Sequence, residues 1–221
     1  AEQVAAEESE IDYLIAAVNR YFKSTLKPSD VIHSFSGVRP LYDDNADNPS
    51  AVTRDYVFEL DAGDGKAPLL SVFGGKITTF RKLSEHALEK LLPFFPLLKP
   101  KWTASAYLPG GDIADADFDG FLGKLQTDYP FLPQPLALHY ARLYGTRARQ
   151  ILGAASKLSD LGTQFSSGLY ECEVIHLLNE EWALDAEDVL TRRTKHGLHM
   201  SAEEQKVFCG WFAGFAALVH P

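Results

Sequence analysis

Lys76 is the residue with the clearest chemical context in this sequence. It stands in the run Leu-Leu-Ser-Val-Phe-Gly-Gly-Lys-Ile-Thr-Thr-Phe-Arg, residues 69–81. Residues 69–73 form a short apolar run of the kind that makes a buried strand. Gly74 and Gly75 then let the backbone turn sharply and lie close to a neighbour. Lys76, Thr78, Thr79 and Arg81 follow at the start of an amphipathic run. A strand ending in paired glycines, a lysine and hydroxyls at a helix start suits an anion. Free backbone N–H groups and the positive end of the helix dipole favour the same ligand. The residues equally suit a plain strand-to-helix turn, with Lys76 and Arg81 solvated and one threonine capping the helix.

Two arginines are further candidates. Arg39 lies between Gly37 and Pro40 in Ser-Gly-Val-Arg-Pro, a restrained backbone that suits a guanidinium clamping phosphate or carboxylate. It can also be a surface arginine paired with Asp43 or Asp44. Arg54 precedes Asp55, and a structural ion pair is the simpler reading there. No Ser-His-Asp or Cys-His spacing is present, and no carboxylate pair stands out as acid and base. The dinucleotide fingerprint Gly-x-Gly-x-x-Gly is absent. His196 and His199 are the closest histidines, but no neighbouring cysteine or carboxylate completes a metal spacing, so the sequence predicts no metal.

The elements that must position these residues fall into two halves. Apolar residues at helical spacing predict a helix over 11–26, ended by Lys27-Pro28. Val31, Ile32 and Phe35 read as a strand, and residues 53–61 as another with Tyr56, Phe58 and Leu60 on one face. Gly63, Asp64 and Gly65 supply hairpin-turn chemistry before the returning strand at 69–73. A helix from Ile77 to about Leu92 is stopped by Pro93. Residues 94–111 form a proline-rich connection. Beyond it the pattern is helical: 117–129, 135–144, a short piece at 147–155, 169–182 and 186–194. Gly145 ends one helix and Thr146 starts the next, while Ser201 and Glu204 form a capping box before the last. Val207–Val219 carries no charge; it could touch a membrane surface or a partner, but its length is more typical of a buried core helix. The fold class is therefore α+β: a few mostly antiparallel strands with flanking helices, residues 1–107, then an all-α domain, residues 108–221.

Composition sets the outer limits. The 221 residues are 46% hydrophobic and 23% charged, which is ordinary for a globular protein. A net charge of −9 argues against a nucleic-acid binder, which needs a broad basic face. Any phosphate must be met by a few convergent cations. Cys172 and Cys209 are too few and too distant for a disulfide framework, so a reducing compartment is expected. The acidic residues 1–10 lack a signal-peptide apolar region.

Several strings in series carry a more specific signal. Ser-Gly-Val-Arg-Pro-Leu (36–41), Thr-Arg-Asp-Tyr (53–56) and residues 68–83 resemble the FAD-dependent glycerol-3-phosphate dehydrogenases. The likeness continues through Glu-His-Ala-Leu (85–88), Leu-Pro-Gly-Gly (108–111), His-Tyr-Ala-Arg-Leu-Tyr-Gly (139–145) and Asp-Val-Leu-Thr-Arg-Arg-Thr-Lys (188–195). It runs in order along nearly the whole chain.

That family places its FAD fingerprint upstream of these strings, so the resemblance implies a C-terminal portion. Residues 1–107 would be the remnant of the FAD and substrate domain, and 108–221 a helical cap. The family oxidises sn-glycerol 3-phosphate to dihydroxyacetone phosphate, passing a hydride to FAD and electrons to membrane quinone. By resemblance Lys76 and Arg39 are catalytic, and Arg39, Arg54, Lys76 and Thr79 meet the substrate. Gly74, Gly75, Lys76, Ile77 and Thr78 would line the flavin. The parent enzyme is expected in the cytoplasm, peripheral to the inner membrane, touching the membrane surface and forming a homodimer. This chain alone is expected neither to retain FAD nor to turn over. Two alternatives remain: a glycerol-3-phosphate oxidase using oxygen, or a helical module for self-association.

Overall fold

A computed structural model describes residues 4–38, 42, 55–63 and 65–219, with side chains described up to residue 215 in the last helix. The chain divides into two compact units, 1–106 and 107–221. Each is described by itself below.

The first unit opens with α1, Glu8–Tyr21, held at its start by a capping box between Glu7 and Glu10. This helix is shorter than the periodicity predicts. Asn19 explains the early end: its side chain both donates to Leu26 O and accepts from Leu26 N. Satisfying both backbone groups of Leu26 folds the following segment back, and a continuing helix could not make that pair.

Strands β1 (Tyr56–Asp61) and β2 (Leu69–Gly74) pair antiparallel, with Tyr56 opposite Gly74 and Asp61 opposite Leu69. The expected strand at Val31, Ile32 and Phe35 does not form. Residues 31–38 have no regular structure, and Ile32 and Phe35 are 84% and 87% exposed. A strand needs a hydrogen-bonded neighbour, and among the described residues none lies beside this segment.

Helix α2, Phe80–Leu91, packs on the hairpin. His86 meets Tyr56 and Phe58 edge-on at ring-centroid distances of 5.9 and 5.1 Å. Gly75, at φ +93°, sits so close that a Cβ there would lie 3.2 Å from Tyr56 Cβ and 3.4 Å from Leu83 Cδ1. The glycine is thus required twice, by backbone conformation and by the hairpin-to-helix contact. Even so, no described residue of 4–106 is buried. Among its described residues this unit has contacts but no core.

The second unit holds the core. Its elements are α3 (Phe118–Asp128), α4 (Gln134–Tyr144), α5 (Ala148–Leu152), α6 (Glu171–Glu180), a π-helical turn at Asp188–Arg193, and α7 (Ala202–Val219). Leu125, Leu136, Tyr140, Val174, Leu177, Val189 and Phe208 meet inside it. Each such side chain contributes about 1.5–3 kcal/mol on burial. Helix α7 enters through the predicted capping box: Ser201 Oγ accepts from Glu204 N, and Glu204 Oε2 accepts from Ser201 N. Phe208 and Phe212 are buried, with Phe208 edge-on to Phe165 at 5.0 Å, while Val207 and Cys209 face solvent. The uncharged helix is therefore core on one face only.

Two of the sequence strings meet at a backbone contact. Gly145 has φ +54° and ψ −132°, and a Cβ on it would collide with Gly110 O. Gly110, at φ +85°, would collide in turn with Tyr144 O. Thr146 N donates to Gly110 O at 3.0 Å, and Thr146 Oγ1 donates to Asp112 Oδ1. Thr146 is thus a clasp on the 109–112 segment, not the helix cap its position suggests. Gly153 has almost the same backbone, φ +52° and ψ −128°, but open space around it. Gly153→Ala should cost roughly 1–3 kcal/mol of backbone strain alone. Gly145→Ala should cost clearly more in urea unfolding, because the clash adds to an equal strain. Equal losses would refute the close contact.

Candidate functional site

The turn after β2 keeps the six predicted residues contiguous. Gly74 (φ +66°) and Gly75 (φ +93°) reverse the backbone, and Lys76 leads into a 3-10 turn at Ile77–Thr79 that runs straight into α2. Thr79 occupies the N-cap position of α2, but its side chain makes no capping bond to the helix. Its Oγ1 donates to Lys76 O at 2.8 Å, and its N–H donates to the same carbonyl at 2.9 Å. That double bond fixes Lys76 in an extended conformation at the head of the turn. Among the described residues Lys76 makes no ion pair, and Lys76, Ile77 and Thr78 are all exposed. Ile77 reaches 89% exposure, which is unusual for an isoleucine flanked by fixed backbone.

The neighbouring cation is engaged elsewhere. Arg81 bonds Glu85 Oε1 at 3.3 Å and Thr103 Oγ1 at 3.2 Å, while Thr103 Oγ1 also donates to Glu85. Arg81 therefore ties α2 to the 103–105 turn. Lys76, at the head of the turn, is thus left for a ligand, as is the exposed Lys82 beyond Arg81. Arg39 and Arg54, with Asp43 and Asp44, lie outside the described residues.

A second assembly went unseen in the sequence. In the helical unit, Glu173 of α6 is fully buried. Its Oε1 accepts from Tyr144 OH at 2.7 Å and lies 2.7 Å from His139 Nε2, both from α4. His196, after the π-helical turn, places Nε2 3.9 Å from Glu173 Oε2, and its ring lies 5.0 Å from that of His139. Glu173 Oε2 and His196 Nε2 have no hydrogen-bond partner. The three side chains form a group of metal-ligating type, their ligand atoms all within 4.8 Å of one another. Local spacing could not reveal it, because residues 139, 173 and 196 come from three separate elements.

The string at 188–195 exists to build this corner. Asp188 Oδ2 accepts from Leu184 N, and Asp188 Oδ1 pairs with Arg192 at 2.9 Å. Arg193 Nε donates to Glu181 O at 2.9 Å. Thr194 N and Oγ1 both donate to Val189 O, closing the π-turn at 3.1 and 2.6 Å. Lys195 then adopts φ +62°, which swings His196 back toward α4 and α6. Gly168 leaves room for it, since a Cβ there would lie 3.1 Å from His196 Cε1.

Burial sets the titration of this region. Desolvation lowers the pKa of His196 and of His176, whose ring meets Tyr144 edge-on at 5.3 Å. Desolvation likewise pushes the Cys172 thiol up to about 11, so Cys172 is a packed group and not a nucleophile. A histidine held neutral when folded binds protons more readily once unfolded. Its contribution is intact above the unfolded pKa of about 6.5 and is lost as pH falls below it. The denaturant midpoint should therefore be lower at pH 5 than at pH 7. His176→Phe, which keeps the edge-on ring, should shrink that difference; an unchanged difference would exclude His176 as a contributor.

Comparison with known proteins connects both units to one family. Residues 102–209 match the family described as the C-terminal domain of alpha-glycerophosphate oxidase. D-erythritol 1-phosphate dehydrogenase of Brucella abortus is 55% identical over 96% of this chain and 42% of its own length. Aerobic glycerol-3-phosphate dehydrogenase of Escherichia coli is 48% identical over the same shares, 96% and 42%. Glycerol-3-phosphate dehydrogenase of Pseudomonas aeruginosa is 50% identical over 92% of this chain and 40% of its own. The chain thus spans about two fifths of the length of these relatives.

Proposed function

We propose, starting from a chain that belongs to the glycerol-3-phosphate dehydrogenase family and corresponds to its C-terminal portion, that this protein supplies one wall of a polyol-phosphate-oxidising flavin site. The observation that carries this reading is the turn at 74–79. It offers an unpaired lysine, an exposed isoleucine and a fixed extended backbone at the head of a helix. The coreless first unit supports it as well, because exposed Ile32, Phe35 and Ile77 suit a larger domain that would cover them.

These residues fit FAD chemically: a cation for negative charge on the reduced ring, and an apolar side chain for a ring face. Gly74, Gly75, Lys76, Ile77 and Thr78 would hold that edge. When bound, the flavin supplies the hydride acceptor. Lys76 would stabilise negative charge developing on the substrate oxygen. Arg39, Arg54 and Thr79 are proposed to meet the substrate, the two arginines on its phosphate side.

The relatives' names differ in the polyol, erythritol 1-phosphate in one and glycerol 3-phosphate in others. Sn-glycerol 3-phosphate is the proposed substrate here, yielding dihydroxyacetone phosphate, and kcat/KM on the two polyol phosphates ranks them. Quinone is the proposed electron acceptor, met at the cytoplasmic face of the inner membrane. Among the described residues no helix is long and apolar enough to cross a membrane. Oxygen consumption against quinone reduction separates this from an oxidase. The exposed Val207 and Cys209 on α7 favour a second role in self-association, which sedimentation tests.

Two outcomes are expected. The 221-residue chain alone should purify without flavin absorbance, and a stoichiometric yellow protein would refute the need for further sequence. In a full-length parent, Lys76→Ala should lower kcat on the order of 10²–10³-fold, the scale of losing one electrostatic donor. Near-normal turnover there would remove Lys76 from the chemistry.

A further inference from the structure

We propose that His139, Glu173 and His196 bind a divalent first-row metal ion of the zinc class, which staples α4, α6 and the 196–198 turn together. A His139–Glu173 ion pair uses Oε1 alone, already shared with Tyr144 OH. It leaves Glu173 Oε2 and His196 Nε2 facing each other at 3.9 Å, both buried and neither bonded. That gap is too long for a hydrogen bond. A cation between them would satisfy both at once.

The geometry suits such an ion. Zinc bonds imidazole nitrogen and carboxylate oxygen at about 2.0–2.2 Å, so tetrahedral ligand atoms lie roughly 3.3–3.5 Å apart. The 3.9 Å between Glu173 Oε2 and His196 Nε2 closes by a few tenths of an ångström, and one ligand atom from each of the three residues already lies within 4.8 Å of the others. Two imidazoles and one carboxylate match the ligand preference of zinc and its neighbours, not of calcium or magnesium.

The surroundings complete the site. Tyr144 OH holds Glu173 from outside, the role that second-sphere donors play at metal centres. A cleft of about 700 Å³ opens beside His139 and His196, lined also by Ser166, Gly168 and His199, and would admit a water as fourth ligand. The ion would also neutralise a fully buried carboxylate.

The test uses the whole 221-residue chain, stripped with EDTA and dialysed, then titrated with Zn²⁺ by calorimetry and with Co²⁺ by absorption. One equivalent should bind, Co²⁺ should give the visible bands of a tetrahedral site, and Zn²⁺ should raise the thermal midpoint. His139→Gln and His196→Gln should each weaken binding by at least about tenfold, whereas His199→Gln should leave it unchanged. Wild-type binding no tighter than that of the His139→Gln/His196→Gln double variant would overturn the proposal. If the variants unfold by near-ultraviolet circular dichroism, the wild-type Co²⁺ complex decides. Two paramagnetically shifted imidazole N–H resonances support the site, and their absence overturns it.

Discussion

The buried carboxylate of Glu173 is the constraint around which the helical unit is arranged. A fully buried acid is tolerated only where donors surround it. Here they come from α4, through Tyr144 and His139, while His196, at the far end of the π-turn, faces the second carboxylate oxygen at 3.9 Å without bonding it. Each donor needs its own support. Tyr144 immediately precedes Gly145, whose backbone must press against Gly110. His196 needs the π-turn, the left-handed Lys195 and the missing side chain of Gly168. Three distant stretches are thereby locked to one carboxylate.

The first unit follows a different logic. Its hairpin and α2 are joined by aromatic contacts around His86 and by the close approach of Gly75, yet no described side chain of 4–106 is buried. Such a unit presents apolar residues instead of enclosing them. That is the behaviour expected of one face of a larger domain, and it is where the exposed Lys76 and Ile77 gain meaning. The two units thus differ in kind: one has a core and its own polar centre, the other exposes its apolar side chains among the described residues.

Much of this was written in local sequence. The paired glycines, a helix soon after them, the capping box at Ser201 and the glycine stop at Gly145 all depend on backbone preferences within a few residues, although α2 itself opens at Phe80, behind a 3-10 turn at Ile77–Thr79. They are therefore legible without a fold. The series of strings identified the family for the same reason, since each is a short contiguous pattern. Where a neighbour from elsewhere decided the outcome, local reading failed. Residues 31–35 have strand character but, among the described residues, no strand beside them, and α1 stops at Tyr21 because Asn19 binds Leu26. Thr146 has the sequence context of a cap, and Thr79 stands at the start of α2, but each spends its hydroxyl on a different partner.

What the sequence determined by itself, then, is the family, the α+β class, and the identity and order of the residues around Lys76. Tertiary structure alone decided that Arg81 is engaged while Lys76 is not, for the two look alike until Glu85 and Thr103 claim the first. It alone decided that His139, Glu173 and His196 share one pocket. Side chains separated by 34 and 23 positions meet only when helices pack, and no local periodicity encodes that meeting.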